Sequence, residues 1–106
     1  MIRLNIMYPS TEGGRFDHDY YRDKHMPMVA SRLGGACLYY AVERAISGAV
    51  PGTPSPYVAG CSIYSESMET LLRALGVHGK EMMADMKNYT DSKPVIWYSE
   101  VQVDRS

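Results

Sequence analysis

The chain has one phenylalanine, one tryptophan and two cysteines among its 106 residues. Two cysteines, Cys37 and Cys61, are too few for a disulfide framework or a thiolate zinc site. Both stand in segments with strand patterning, where a buried free thiol behaves as a small hydrophobe. In a hairpin turning near residues 49 to 54, Cys37 falls opposite a position several residues beyond Cys61, so no bridge between them is expected. An excess of charge is also missing: 11 basic against 12 acidic residues leave a net charge of −1. That balance leaves no electrostatic footprint for nucleic acid or an anionic membrane surface. No apolar run approaches the ~20 residues of a membrane span. The first residues enter an alternating strand pattern, not a signal-peptide core, so a cytoplasmic protein is expected. Gly13-Gly14 and Gly34-Gly35 stand in no Gly-x-Gly-x-x-Gly or Gly-Lys-Ser/Thr context, and a nucleotide cofactor is not expected.

What is present is tyrosine, nine of them. A tyrosine buries apolar area, but its hydroxyl needs a partner once it is inside. The count therefore fits a wet or ligand-filled aromatic interior; half-exposed strand tyrosines are the plainer reading. Hydrophobic residues at 45% and charged residues at 22% are ordinary for a globular domain. The length suits a single domain, residues 1–106, with one core about two layers thick.

Ile2, Leu4, Ile6 and Tyr8 alternate with Arg3, Asn5 and Met7, which marks a first strand. Asp17 is a fair N-cap for a helix running to about Leu33, where Gly34-Gly35 ends it. A second strand is expected over about Ala36 to Ile46, with Leu38, Tyr40, Val42 and Ile46 on one face. After a loop over residues 48–54, Tyr57 to Tyr64 reads as a third strand. Ser67 caps a second helix whose apolar positions, Met68, Leu71, Leu75, Met82 and Met86 among them, keep helical phase. Gly76 and Gly79 predict a break near Val77-His78, and a last strand runs from Val95 to about Val103. The order βαββαβ gives an α+β, ferredoxin-like domain: a four-stranded antiparallel sheet with two helices on one face. A sheet so covered should be polar on its other face. Here Val95, Trp97, Val101 and Val103 alternate with Ile96, Tyr98, Glu100 and Gln102, so neither face begins polar. That predicts a homodimer with sheets packed face to face.

The chemistry concentrates in residues 16–28. On a helix, Asp17, Tyr21 and His25 fall four apart, which stacks a carboxylate, a phenol and an imidazole in one column. Pro27 removes a backbone donor and clashes with the Asp23 carbonyl, so the helix is expected to kink or restart beside His25. A neutral imidazole takes or gives a proton near pH 7, and Tyr21 could hold a substrate oxygen or the ring. The competing reading is that His25 bonds a carbonyl freed by Pro27 and locks the kink. His18, between Asp17 and Asp19, reads as solvent-facing. His78, in the glycine-weakened part of the second helix, raises the question of a heme ligand. The three histidines lack metal-ligand spacing with one another or with a cysteine pair, so no metal site is expected. Met82, Met83 and Met86 form a soft stripe that reads as core before cofactor pocket. Tyr8, Tyr40, Tyr64, Trp97 and Tyr98 at strand positions could line a cavity for a flat or apolar ligand.

The string Phe16-Asp17-x-x-Tyr20-Tyr21-x-x-x-His25-x-Pro27, following a strand that ends in Tyr8-Pro9, resembles the EthD family. The resemblance covers nearly the whole chain and implies pairing into a dimeric α+β barrel. It also implies a cofactor-free pocket between helices and sheet, one per subunit, for a small aromatic or polyketide-like molecule. Similar proteins accompany ether degradation and aromatic polyketide tailoring. Dehydration, decarboxylation, isomerisation and cofactor-independent oxygenation are the chemistries known on this architecture. His25 falls on the family's histidine and would move the proton, with Tyr21 holding the oxygen. Tyr8, Asp17, Tyr40, Tyr64 and Trp97 would form the substrate site. The family is not a heme family. Met28 stands where the family more often has leucine, a volume-conserving difference. Two rivals remain: a non-catalytic binder or accessory protein of a catabolic pathway, and a purely structural role for His25 and Tyr21.

Overall fold

A computed structural model describes residues 1–104. Strand β1 (Ile2–Pro9) is followed by helix α1 (His18–Tyr20), which runs through a π-helical turn (Tyr21–His25) into α2 (Met26–Leu33). Then come β2 (Tyr39–Arg44), β3 (Tyr57–Ser65), α3 (Met68–Ala84) and β4 (Val95–Glu100). The four strands form one sheet in the order β2-β3-β1-β4, all pairs antiparallel. This is the expected ferredoxin-like arrangement.

Asp17 caps the first helix as expected, its carboxylate accepting the Tyr20 N–H at 3.1 Å. Beside Pro27 the helix loses α-helical geometry over Tyr21–His25 and resumes it at Met26. It widens: the Met26 N–H reaches back five residues to the Tyr21 carbonyl. A π turn placed just before a proline relieves the clash that an α-turn would force on it, and the helix continues through Leu33. Gly34, at φ +53°, then ends it. The break expected in the second helix is also absent; α3 is continuous from Met68 to Ala84, with Ser67 capping the Thr70 N–H. Packing of Leu71 and Met82 outweighs the glycines' cost of about 1 kcal/mol each. Two strands are shorter than expected. Residues 34–36 form a 3-10 turn before β2, and β4 stops at Glu100, because neither Ile46 (98% exposed) nor Val103 (91%) packs on anything.

Register fixes which side chains share a face. Leu4 pairs with Ile63 and Tyr98, and Ile6 with Cys61 and Ile96. With Tyr8, Tyr40 and Val42 these residues share the side of the sheet that carries the buried core of Leu4, Ile63, Val29, Leu33 and Leu71. Arg3, Asn5, Met7, Tyr39, Tyr64 and Trp97 take the opposite side. Gly60 sits opposite Met7, where a Cβ would strike the Met7 sulfur and the Ile6 carbonyl. Cys37 and Cys61 are both free thiols. Among the described residues no helix is long and apolar enough to cross a membrane.

Candidate functional site

Three segments far apart in sequence meet at the end of β1. The Asp17 N–H donates to the Tyr89 carbonyl at 2.7 Å, and Phe16 forms an isolated bridge with Thr90. These bonds clamp the start of the first helix to the segment after α3, and so set Tyr89 against His25. β1 ends in a register shift at Tyr8/Pro9, where Val58 is left out of the ladder. Tyr8, Phe16, Tyr21 and Tyr89 then pack as a cage of rings, with Tyr8–Tyr21 centroids 5.5 Å apart and edge to face. Tyr21 stacks on the His25 imidazole at 5.6 Å and 14°.

Inside this cage the polar groups form a chain. His25 Nδ1 lies 2.9 Å from Asp85 Oδ2, and His25 Nε2 lies 3.2 Å from the Tyr89 hydroxyl. The Tyr89 and Tyr8 hydroxyls are 2.6 Å apart. Asp85 also accepts from the Tyr20 hydroxyl at 2.7 Å and from Asn88 Nδ2 at 2.8 Å. Three donors converge on that carboxyl, which outweighs the effect of its burial and holds it below the usual carboxylate range. Burial lowers the His25 pKa, more than the neighbouring Asp85 raises it. The resting state is therefore neutral imidazole beside ionised carboxylate.

That charge state assigns every proton. A carboxylate only accepts, so Nδ1 carries the imidazole hydrogen and Nε2 is left as an acceptor. Tyr89 O–H donates to Nε2, and Tyr8 O–H donates to the Tyr89 oxygen. Burial pushes the Tyr8 phenol up to about 12, and the phenols of Tyr89 and Tyr21 are also held well above the ordinary range by burial. All three are neutral near pH 7. The Tyr21 hydroxyl, 1% exposed as a residue, closes no hydrogen bond of good geometry beside Cys61. Burial raises the Cys61 thiol to about 11, which makes it a poor nucleophile.

Tyr8 also lines a cleft of about 220 Å³ between α3 and the strands β1 and β4. Its walls include Leu75, Met82, Met86, Ile96 and Tyr98. On the far side of the chain, Asp85 opens into a shallow polar cleft of about 300 Å³ with Tyr20, Lys24, Glu81 and Asn88. The chain thus runs from a residue of the apolar cleft wall, Tyr8, to one of the polar cleft, Asp85.

The model of the EthD domain family matches residues 15–93, most of the chain and the whole of this relay apart from Tyr8. The protein belongs to the EthD family. The crystal structure of an EthD-like protein from Ralstonia eutropha JMP134 is 51% identical, covers 99% of this chain and 95% of its own, and superposes with a TM-score of 0.95. An EthD-family protein from Bacillus halodurans C-125 shares the fold at a TM-score of 0.75 and 20% identity, over 96% of this chain and 99% of its own. No curated protein matches.

Of the residues singled out in this EthD sequence, the structure brings together His25, Tyr21 and Tyr8. Asp17 is an exposed helix cap, because its carboxylate is spent on the Tyr20 N–H and does not reach the imidazole. Tyr64 and Trp97 lie on the open side of the sheet, away from the cleft. Tyr40 is on the helix side, but on the edge strand β2, and it does not line the cleft. Of the two neighbours expected to line a cavity, Tyr98 does and Trp97 does not, since a one-residue step in a strand reverses the face. The methionine stripe faces the cleft, with Met82, Met83 and Met86 all in its wall. His78 lies on α3 outside the chain of bonds, and among the described residues no cluster of three His, Cys, Asp or Glu side chains could hold a metal. Sequence reading missed Asp85 and Tyr89. Their signal was weak: a helix-end Asp and one tyrosine of nine, placed at the site only by the clamp to Phe16 and Asp17.

Proposed function

We propose that this protein is a cofactor-free enzyme that moves a proton on a small aromatic or polyketide-like molecule held in the cleft between α3 and the sheet. One observation carries the reading: a buried His25 imidazole, paired with the part-exposed Asp85 carboxylate and joined through the Tyr89 hydroxyl to Tyr8, a residue of the cleft wall. A ligand proton accepted by the Tyr8 oxygen would pass the Tyr8 proton to Tyr89 and the Tyr89 proton to Nε2. One bond to hydrogen breaks at the ligand and one N–H forms at His25. The new imidazolium is held against Asp85, which is the preorganised electrostatic support such a step needs. Dehydration, decarboxylation, isomerisation and cofactor-independent oxygenation all admit such a step. Tyr21 packs the imidazole in place; Tyr8 takes the oxygen-holding part first expected of Tyr21.

The homodimer belongs to the same reading. Tyr39, Val95 and Trp97 are each more than 40% exposed on the open sheet face, and a second copy is the economical cover. A specific observation favours the binder reading as the alternative: His25 itself does not line the cleft. The test is a thermal-shift screen of small phenols, quinones and lactones, with hits then assayed for turnover in wild type and His25→Gln. Turnover falling ~10²-fold or more in a folded variant supports the enzyme. Ligand stabilisation without turnover in either protein leaves a binder.

A further inference from the structure

The chain has a direction, and the direction constrains the ligand. Asp85 can only accept, so His25 Nδ1 donates to it; Nε2 therefore accepts from Tyr89, and Tyr89 accepts from Tyr8. A phenol has one proton. That of Tyr8 is committed inward over 2.6 Å, so to a ligand reaching its hydroxyl from the cleft that Tyr8 lines, the oxygen would offer only a lone pair. The remaining cleft wall adds little polarity beyond Tyr98, with Leu75, Met82, Met86 and Ile96 around it.

We infer that the cleft selects ligands that carry an O–H donor, phenols or enols, over ethers and ketones of the same shape, and that Tyr8 is the residue that reads the donor while Tyr89 sets its polarity as a positioning residue. This rests on the cleft being the ligand site. The selection follows from satisfaction of hydrogen bonds: a carbonyl buried against the Tyr8 oxygen meets an acceptor and goes unpaired, whereas a hydroxyl is paired. The same logic is why a site built to bond a hydroxyl rejects analogues that lack one.

Tyr89→Phe gives a signature that mere loss of structure cannot. Without the Tyr89 oxygen, the Tyr8 proton is released to the cleft, and Tyr8 becomes able to donate. Binding of naphthalene, 2-naphthol, 2-methoxynaphthalene and 2-acetylnaphthalene would be measured by titration at pH 8, for wild type, Tyr8→Phe and Tyr89→Phe. In wild type, 2-naphthol is expected to bind about fivefold to tenfold more tightly than the ether or the ketone. In Tyr89→Phe the ketone should gain about fivefold, and in Tyr8→Phe the preference for the hydroxyl should vanish. The ether or ketone matching 2-naphthol in wild type overturns the inference while leaving the cleft reading intact. Naphthalene and all its derivatives failing to bind overturns both. A hydroxyl preference that survives Tyr8→Phe but is lost in Tyr98→Phe assigns it to the wrong tyrosine and also overturns it. Nitrogen-15 NMR of the His25 ring in unliganded wild type needs no variant to fold: hydrogen on Nδ1 and none on Nε2 is expected, and the opposite tautomer sinks the proposal.

Discussion

The two faces of one sheet carry the same residue type to opposite ends. On the helix side, Tyr8 meets Tyr21 and Tyr89 in a dry ring cage, with all three phenols held above their ordinary range by burial. On the open side, Tyr39 and Tyr64 stack at 4.3 Å, with the Arg3 guanidinium 6.0 Å from the Tyr64 ring. On the open face the Tyr39 hydroxyl donates to the exposed Asp104 carboxylate at 3.0 Å, where on the helix side the hydroxyls run to a buried imidazole. Tyrosine content is therefore not what makes a site; convergence of hydroxyls on an imidazole whose other nitrogen is anchored is what does.

The sharpest way to break this comparison is on the open face. Trp97→Glu should split the proposed dimer, taking the mass from two chains to a single chain of 11.9 kDa while leaving the helix-side cage folded. Light scattering at micromolar concentration reads this directly, and a wild-type mass of one chain removes the dimer. A smaller effect should separate the hydroxyls. Tyr89→Phe strips a fully buried oxygen that bonds both His25 and Tyr8, and is expected to cost about 1–3 kcal/mol in urea unfolding. Tyr64→Phe should stay within about 0.5 kcal/mol. Similar losses from the two would erase the contrast between the faces.

The gentlest prediction is a pH profile. Folding lowers the His25 pKa from its ordinary 6.5, so as pH falls the unfolded chain takes that proton first. Stability from this group is whole above pH 6.5 and drops as pH falls below it toward the folded-state value. Asp85, held below 3.8 by its three donors, adds a second loss as pH falls below that point. Melting curves across pH 8 to 3 should show both declines in wild type, and a smaller upper one in His25→Gln, where His18, lowered mainly by its partial burial, still contributes. A wild-type profile flat between pH 7 and 5 would contradict a neutral buried imidazole.

Much of the fold was legible because its signals are local and periodic. Alternation in β1 and β3, the Asp17 and Ser67 caps and Gly34 each act within a few residues, and each does in the structure what its chemistry requires. Read locally, Pro27 and the α3 glycines are helix breakers; packing around Leu71 and Met82 carries α3 across its glycines, while beside Pro27 the backbone leaves α-geometry as a π turn around buried Tyr21 and His25. At the site, His25 and Tyr21 were legible because helical spacing stacks them. Tyr64 and Trp97 were misplaced because face assignment depends on register, which a strand does not carry within itself.

The sequence by itself determined the element order, the helix caps, the family and the imidazole at position 25, all properties of neighbours along the chain. Only the tertiary structure decided that Asp85 holds Nδ1, that Tyr89 holds Nε2 and is held in turn by Tyr8, and that the two end residues, Tyr8 and Asp85, belong to the walls of an apolar cleft and a polar one. Those partners lie 60, 64 and 81 residues apart along the chain, so no periodicity links them. What joins them is the demand that buried polar groups be paired, and that demand is met only once the sheet, the π turn and the end of α3 have closed on one another.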